Sequence, residues 1–322
     1  MSTDLDVRLD PATLVDQMAD DVRAGLGERP YTLPPKYFYD AEGSRLFDEI
    51  TRLEEYYPTR TERAILVATV AEIAAATGAR TLVELGSGTS EKTRLLLGAL
   101  RGAGTLEQFV PFDVDPVILG VAAAQVDEEF PGLVVSPVVG DFDHHLHDLP
   151  GAGPRLVAFL GSTLGNFDPT ARTRFFRDVR GSLAAGDHLL LGIDLVKDSD
   201  RLVAAYDDAR GVTAAFNTNV LHVLNREQKA DFDVDAFEHV AVWDADNEWI
   251  EMRLRSLRDQ TVRIEALDLD VTLAAGEEIR TEISAKFRRE RLAAELAAAD
   301  LRIEQWWTDE SEDFALTLIA PA

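Results

Sequence analysis

The apolar positions along the chain alternate between two patterns. Unbroken apolar runs closed by glycine or by acid occur at TLVELGSG (81–88), QFVPFDVD (108–115), LVVSPVVGDF (133–142), RLVAFLGSTLGNF (155–167) and DHLLLGIDLV (187–196). Such runs read as strands buried on both faces of a parallel sheet. Between them the apolar residues recur at helical spacing. Ile65, Leu66, Ala68 and Ile73 form one stripe over 61–77, with Thr59 and Glu62 at capping-box spacing and Gly78 as a stop. Leu95, Leu96, Leu97 and Leu100 mark a second helix that opens near Ser90. PVILGVAAAQVDEEF and ARTRFFRDVRGSL give two more. This rhythm predicts an α/β protein with a doubly wound, mostly parallel Rossmann-like sheet.

Near the end the pattern changes. ERLAAELAAAD reads as a helix, followed by LRIEQWWTD and FALTLIAP (314–321) as strands joined by the acidic turn ESED. They predict an antiparallel hairpin at the sheet edge. Between about 197 and 286 the βα rhythm stops, and HVAVWDADNEWIEMRLRSL and TVRIEALDLDVTL alternate at period two. Such runs read as antiparallel strands with one wet face. The expected division is therefore 61–195 with 287–322 as one domain, and 1–60 with 196–286 as a second, α+β domain.

Composition narrows the chemistry. Lys plus Arg total 32 and Asp plus Glu total 58, a formal charge of −26. That argues against a nucleic-acid backbone or an anionic membrane as partner. There are no cysteines, which excludes disulfides, thiol catalysis and Cys-ligated metal. The start, MSTDLDVRLD, lacks a basic-then-apolar leader, and no apolar run approaches the roughly 18 residues of a membrane helix. A soluble cytoplasmic protein is expected, and a monomer.

Three strand ends carry the candidate chemistry. Glu84-Leu85-Gly86-Ser87-Gly88-Thr89-Ser90 follows the first strand and opens a helix. Taken alone it fits a tight turn as well as a ligand loop, and Glu91 stands where a dinucleotide fingerprint needs its third glycine. The next strand ends at Asp113-Val114-Asp115 and the third at Gly140-Asp141-Phe142. A carboxylate at the second strand end suits a ribose diol. Asp141 with Phe142 suits an adenine. An acidic rim without a phosphate cradle fits a cationic adenosyl cofactor, S-adenosylmethionine, with Lys92 available for its carboxylate. A nicotinamide oxidoreductase fits less well.

Longer stretches are more specific. LPPKYFYDAEGSRLFDEITRLEEYYPTRTE (33–62), ELGSGTSEKT (84–93), FLGSTLGNF (159–167), DLVKD (194–198), AYDDARGVTAAFN (205–217) and TEISAKF (281–287) carry a resemblance that runs from about residue 30 to the end. The chain resembles class I S-adenosylmethionine-dependent methyltransferases, and within them the histidine-specific Nα-methyltransferases of ergothioneine biosynthesis. The resemblance implies trimethylation of the α-amine of free L-histidine to hercynine, with release of S-adenosylhomocysteine and no metal. It places Gly86, Lys92, Asp113, Asp141 and Phe142 at the cofactor, with Tyr56 at its boundary. Tyr39, Tyr56, Gly161, Asn166, Tyr206, Met252, Glu282 and Ser284 are implied to line the histidine pocket.

These residue types suit the reaction. Methyl transfer from a sulfonium is an in-line displacement by a neutral amine at roughly 3–3.5 Å. An apolar site beside the sulfonium lowers the amine pKa. Asn166 and Tyr206 are neutral donors for the substrate carboxylate. Glu282 and Ser284, two apart on a strand, face one side and would accept the imidazole N–H. Tyr39 would hold the amine in line, and is the expected catalytic residue. Read singly, each tyrosine is an ordinary half-buried aromatic and Asn166 a turn residue. His144, His145 and His147 suggest metal, but no further ligand at helical spacing completes a site. The alternatives are another amino acid or small amine as acceptor, or a non-catalytic adenosyl sensor.

Overall fold

The computed structural model describes residues 5–9, 11–88, 90–141 and 145–322, without the side chains of residues 11–14 and 147. Among the described residues the strands are β1 (Asp6–Val7), β2 (Thr81–Leu85), β3 (Gln108–Asp113), β4 (Val134–Val135), β5 (Val138–Val139), β6 (Arg155–Phe159) and β7 (His188–Asp194). They continue as β8 (Phe237–Asp244), β9 (Trp249–Ser256), β10 (Gln260–Ile264), β11 (Leu269–Leu273), β12 (Glu278–Ala285), β13 (Leu301–Thr308) and β14 (Phe314–Pro321). The chain forms two compact units. Residues 5–9 join Arg60–Leu195 and Phe287–Ala322 in one, and Pro11–Thr59 joins Val196–Lys286 in the other. The expected grouping of all of 1–60 with the second unit is thus corrected at its start. Asp6 and Val7 pair in parallel with Val138 and Val139, which ties them to the first unit's sheet.

That sheet has the order β1-β5-β3-β2-β6-β7-β14-β13, with β4 beside β3. Every residue of β2 and of β6 is buried, as strands covered on both faces require. From β2 the chain winds outward to β3 and β5, then returns to β6 and β7 on the other side. The winding reverses at β2, and the crevice beyond the carboxyl ends of β2 and β6 is where such sheets bind ligands. β14 inserts antiparallel to both β7 and β13, giving the expected reversed C-terminal strand.

Local chemistry moves several boundaries. The run 133–142 forms two short strands rather than one, because Pro137 has no N–H for the ladder. The helix expected over 61–77 opens at Pro58. The next begins at Thr93, since Ser90 has φ +52° and cannot lie in an α-helix. Asp115 caps Pro116–Glu129 by accepting the N–H groups of Val117 and Ile118. Ile65, Leu66, Leu96, Leu97 and Leu100 pack their helices on the sheet.

In the second unit β12, β9 and β8 form an antiparallel sheet, and β10 pairs with β11. Its core includes Phe38, Phe216, Leu221, Ile250, Leu254 and Ile279, from both chain segments. The register of β12 on β9 passes from Arg280↔Arg253 to Glu282↔Met252, leaving Thr281 as a bulge. The Thr281 hydroxyl donates to buried Asn217 at 2.6 Å, which pins the bulge. Bulges re-aim the side chains that follow them, here Glu282 and Ser284. No helix among the described residues is long and apolar enough to cross a membrane.

Candidate active site

In the first unit three neighbouring strand ends carry the expected residues. Gly86, at φ +68°, turns the chain so that the Gly86 and Ser87 N–H groups donate to the Phe112 carbonyl at 2.9 and 3.1 Å. Asp113 accepts the Gly88 N–H at 2.9 Å and the Asp115 N–H at 3.2 Å. Burial pushes its carboxyl above the usual range, against the pull of these N–H groups. Asp113 is level with Val139, and the Gly140 N–H donates to its carbonyl at 3.0 Å. Asp141 follows and is buried. Gly86, Asp113 and Asp141 are therefore brought together on one rim. Phe142 and His144 lie outside the described residues.

Two acids on this rim were not singled out from the sequence. Glu84 is buried and takes a hydrogen bond from the Thr93 hydroxyl. Its second oxygen and the Ser87 hydroxyl have no hydrogen-bond partner among the described residues. Burial pushes the Glu84 carboxyl up to about 7. An acid inside an otherwise apolar strand was the available signal.

The other is Glu62. It is fully buried, accepts the Lys92 ammonium on one oxygen and the Gly161 N–H on the other at 2.8 Å. The capping-box reading of Glu62 is corrected: its carboxylate turns inward to these donors. Lys92 keeps 22% of its side-chain surface. Gly161 has φ +78°, a turn that favours glycine, and leads into the short helix Thr163–Asn166. Asn166 ends that helix and is half-buried.

The second unit holds the remaining candidates. Tyr56 stacks edge-on against Tyr206 and Phe47, each with 6.3 Å between ring centroids. Tyr39 is 39% exposed and packs edge-on against Phe47 and Phe216. Tyr206 and Ser284 hydroxyls meet at 2.7 Å. The buried Lys286 ammonium donates to both, at 2.9 and 2.8 Å. Lys286 was missed, since a lysine two residues beyond Ser284 gives no sign in sequence that it is buried. His239 lies 2.8 Å from the Tyr206 carbonyl and 2.8 Å from Asn217 Nδ2. Burial lowers its pKa, so the neutral ring donates through Nε2 and accepts through Nδ1.

Glu282 differs from every other acid of this unit's sheet. It is buried opposite Met252, with no hydrogen-bond partner among the described residues. Burial pushes its carboxyl up to about 7, opposed by the charge of Lys286. Glu282 keeps 9% of its surface, and its oxygens are not among the fully buried atoms without a partner, so the carboxylate has an open side on which a ligand's donor can replace water. Ser284 is less free than its spacing implied. Lys286 and Tyr206 occupy its oxygen, so joint acceptance of one N–H with Glu282 gives way to a hydroxyl already held in a network.

The model of the histidine-specific, SAM-dependent methyltransferase family matches residues 18–321. The chain belongs to this family. It is 61% identical to the histidine N-alpha-methyltransferase of Mycolicibacterium smegmatis over 92% of this chain and 93% of that protein. It is 58% identical to the histidine N-alpha-methyltransferase of Mycobacterium tuberculosis over 93% of this chain and 94% of that protein. A more distant relative is the 4-dimethylallyltryptophan N-methyltransferase of Epichloe festucae var. lolii, 27% identical over 97% of this chain and 96% of that protein.

The rim of this methyltransferase suits the family's donor. One oxygen of Glu84 is buried without a hydrogen-bond partner among the described residues, and Asp113 and Asp141 stand on the neighbouring strand ends. Among the described residues no group of three or more His, Asp or Glu is placed to hold a metal.

Proposed function

We propose that this methyltransferase transfers methyl groups from S-adenosylmethionine to the α-amine of free L-histidine, three in succession, to give hercynine for ergothioneine biosynthesis. Two relatives at 61% and 58% identity carry the name histidine N-alpha-methyltransferase. The observation that supports the substrate is the Glu282 carboxyl, 9% exposed, pushed up to about 7 by burial and open on one side to a donor such as an imidazole N–H. A side chain lacking that N–H leaves Glu282 unpaired, a penalty of about 1–3 kcal/mol or more.

When bound, the donor supplies an electrophilic methyl on a sulfonium. In this reading Asp113 accepts the ribose hydroxyls, Asp141 with Phe142 takes the adenine, Glu84 the ammonium, and Lys92 the carboxylate. Gly86 lets the backbone approach. Histidine is held by Glu282 at the imidazole, with Met252 and Tyr56 packing on the ring. The Tyr206–Ser284–Lys286 network donates to its polar groups. Tyr39 aligns the amine. With donor and histidine bound, the amine would first lose its proton to solvent, and its lone pair would then take the methyl as the bond to sulfur breaks. The protein acts as a cytoplasmic monomer on a free small molecule, and its −26 charge keeps it from anionic polymers.

Calorimetric titration tests the assignment. Glu282→Ala should weaken histidine binding at least about tenfold and leave S-adenosylhomocysteine binding unchanged. Equal losses for both ligands would refute the role of Glu282. An acceptor other than histidine is the second reading, and a relative 27% identical to this chain is named for 4-dimethylallyltryptophan.

A further inference from the structure

Glu62 belongs to no part of the reading above, yet it is the most deeply placed acid beside the donor rim. Its side chain has 0% exposure. A carboxylate so buried needs full compensation. It receives this from two groups assigned separately to the site. Lys92 stands at the start of the helix after the glycine loop, and Gly161 at the turn after β6. The two are adjacent: a Cβ at Gly161 would lie 3.6 Å from the Lys92 nitrogen. Gly192 of β7 leaves the space, since a Cβ there would lie 1.8 Å from the Glu62 carboxylate. The helix start after the glycine loop, the turn after β6 and the body of β7 thus meet on one carboxylate, and the two loops flanking the β2–β6 switch point are fastened to it.

We infer that Glu62 is the positioning residue of the donor site: it fixes Lys92 and the Gly161 turn relative to each other and sets donor affinity without touching the donor. This rests on the proposal that Lys92 faces the donor carboxylate. An ammonium has three N–H groups, and Glu62 takes one, leaving others to point at a ligand from a fixed place. A carboxylate can accept from both partners at once. A glutamine can accept on its oxygen only, and must turn its amide N–H₂ toward either Lys92 or the Gly161 N–H.

The test is a double-mutant cycle read by calorimetric titration with S-adenosylhomocysteine, melting temperature and circular dichroism serving as fold controls. Glu62→Gln should weaken binding about tenfold, Lys92→Met by a similar factor, and the double variant no more than Lys92→Met alone. Glu62→Asp, which keeps the charge but retracts it from Gly161, should lie between wild type and Glu62→Gln, and carries the test if Glu62→Gln does not fold. Folded variants with wild-type affinity, or losses that multiply in the double variant, would overturn the inference. A wild-type protein that binds no S-adenosylhomocysteine would instead overturn the donor reading on which it rests.

Discussion

The hydroxyls of Tyr206 and Ser284 meet at 2.7 Å, across 78 residues of chain. Because the Lys286 ammonium only donates, both oxygens accept from it, and one hydroxyl must donate to the other. The three side chains therefore act as a unit. Tyr206→Phe and Ser284→Ala should each raise the histidine Kd, and their effects should couple by about 0.5–3 kcal/mol in a double-mutant cycle. Additive losses would mean that the two hydroxyls serve independent parts of the substrate.

Glu282 should make the protein less stable as pH rises. Its folded pKa, about 7, lies above the ordinary carboxyl value of 4.5. The folded state thus holds the proton more tightly than the unfolded chain. Its contribution is neutral below about pH 4.5 and becomes destabilising as pH climbs through the folded value near 7. Glu282→Gln removes the charge, so its melting temperature should exceed that of wild type at pH 8 and approach it at pH 5. Thermal melts across this range check the sign. Part of the fall should survive in the variant, because Glu84 titrates in the same window. A variant that is less stable at pH 8 would show that Glu282 is paired in solution.

Gly192 should tolerate no side chain. Its added Cβ would approach the Glu62 carboxylate to 1.8 Å, and that group is buried and already held on two sides. Gly192→Ala should cost about 1–3 kcal/mol in urea unfolding at unchanged m-value. An unchanged midpoint would show that the Glu62 carboxylate has room to move.

Asp113 should matter to the donor more than to the fold. One of its oxygens holds the Gly88 N–H of the glycine loop and the other the Asp115 N–H of the turn after β3. Asp113→Ala should weaken S-adenosylhomocysteine binding by about tenfold or more, with the circular dichroism spectrum retained. Full affinity in the variant would remove the rim acid from the site.

The sheet was legible in the sequence because its strands are buried on both faces and so appear as continuous apolar runs. The reversed last strand was also legible, through the ESED turn between two β-rich segments. The bulge at Thr281 was not, since it depends on Asn217, 64 residues away in sequence. Gly86 and Asp113 announced themselves by standing at strand ends. Glu62 and Lys286 did not, because a charged residue on a helix or strand reads as solvated until tertiary packing buries it. Glu62 even matched a helix-capping signal, and only its neighbours in space show that the carboxylate is spent elsewhere.

The most direct measurement is mass spectrometry of a reaction containing purified protein, S-adenosylmethionine and free L-histidine among the other amino acids. The expected outcome is histidine carrying three new methyl groups, all on the α-nitrogen, with both imidazole nitrogens unmodified. Unmodified histidine beside another methylated amino acid, or methylation on the imidazole, would contradict the account.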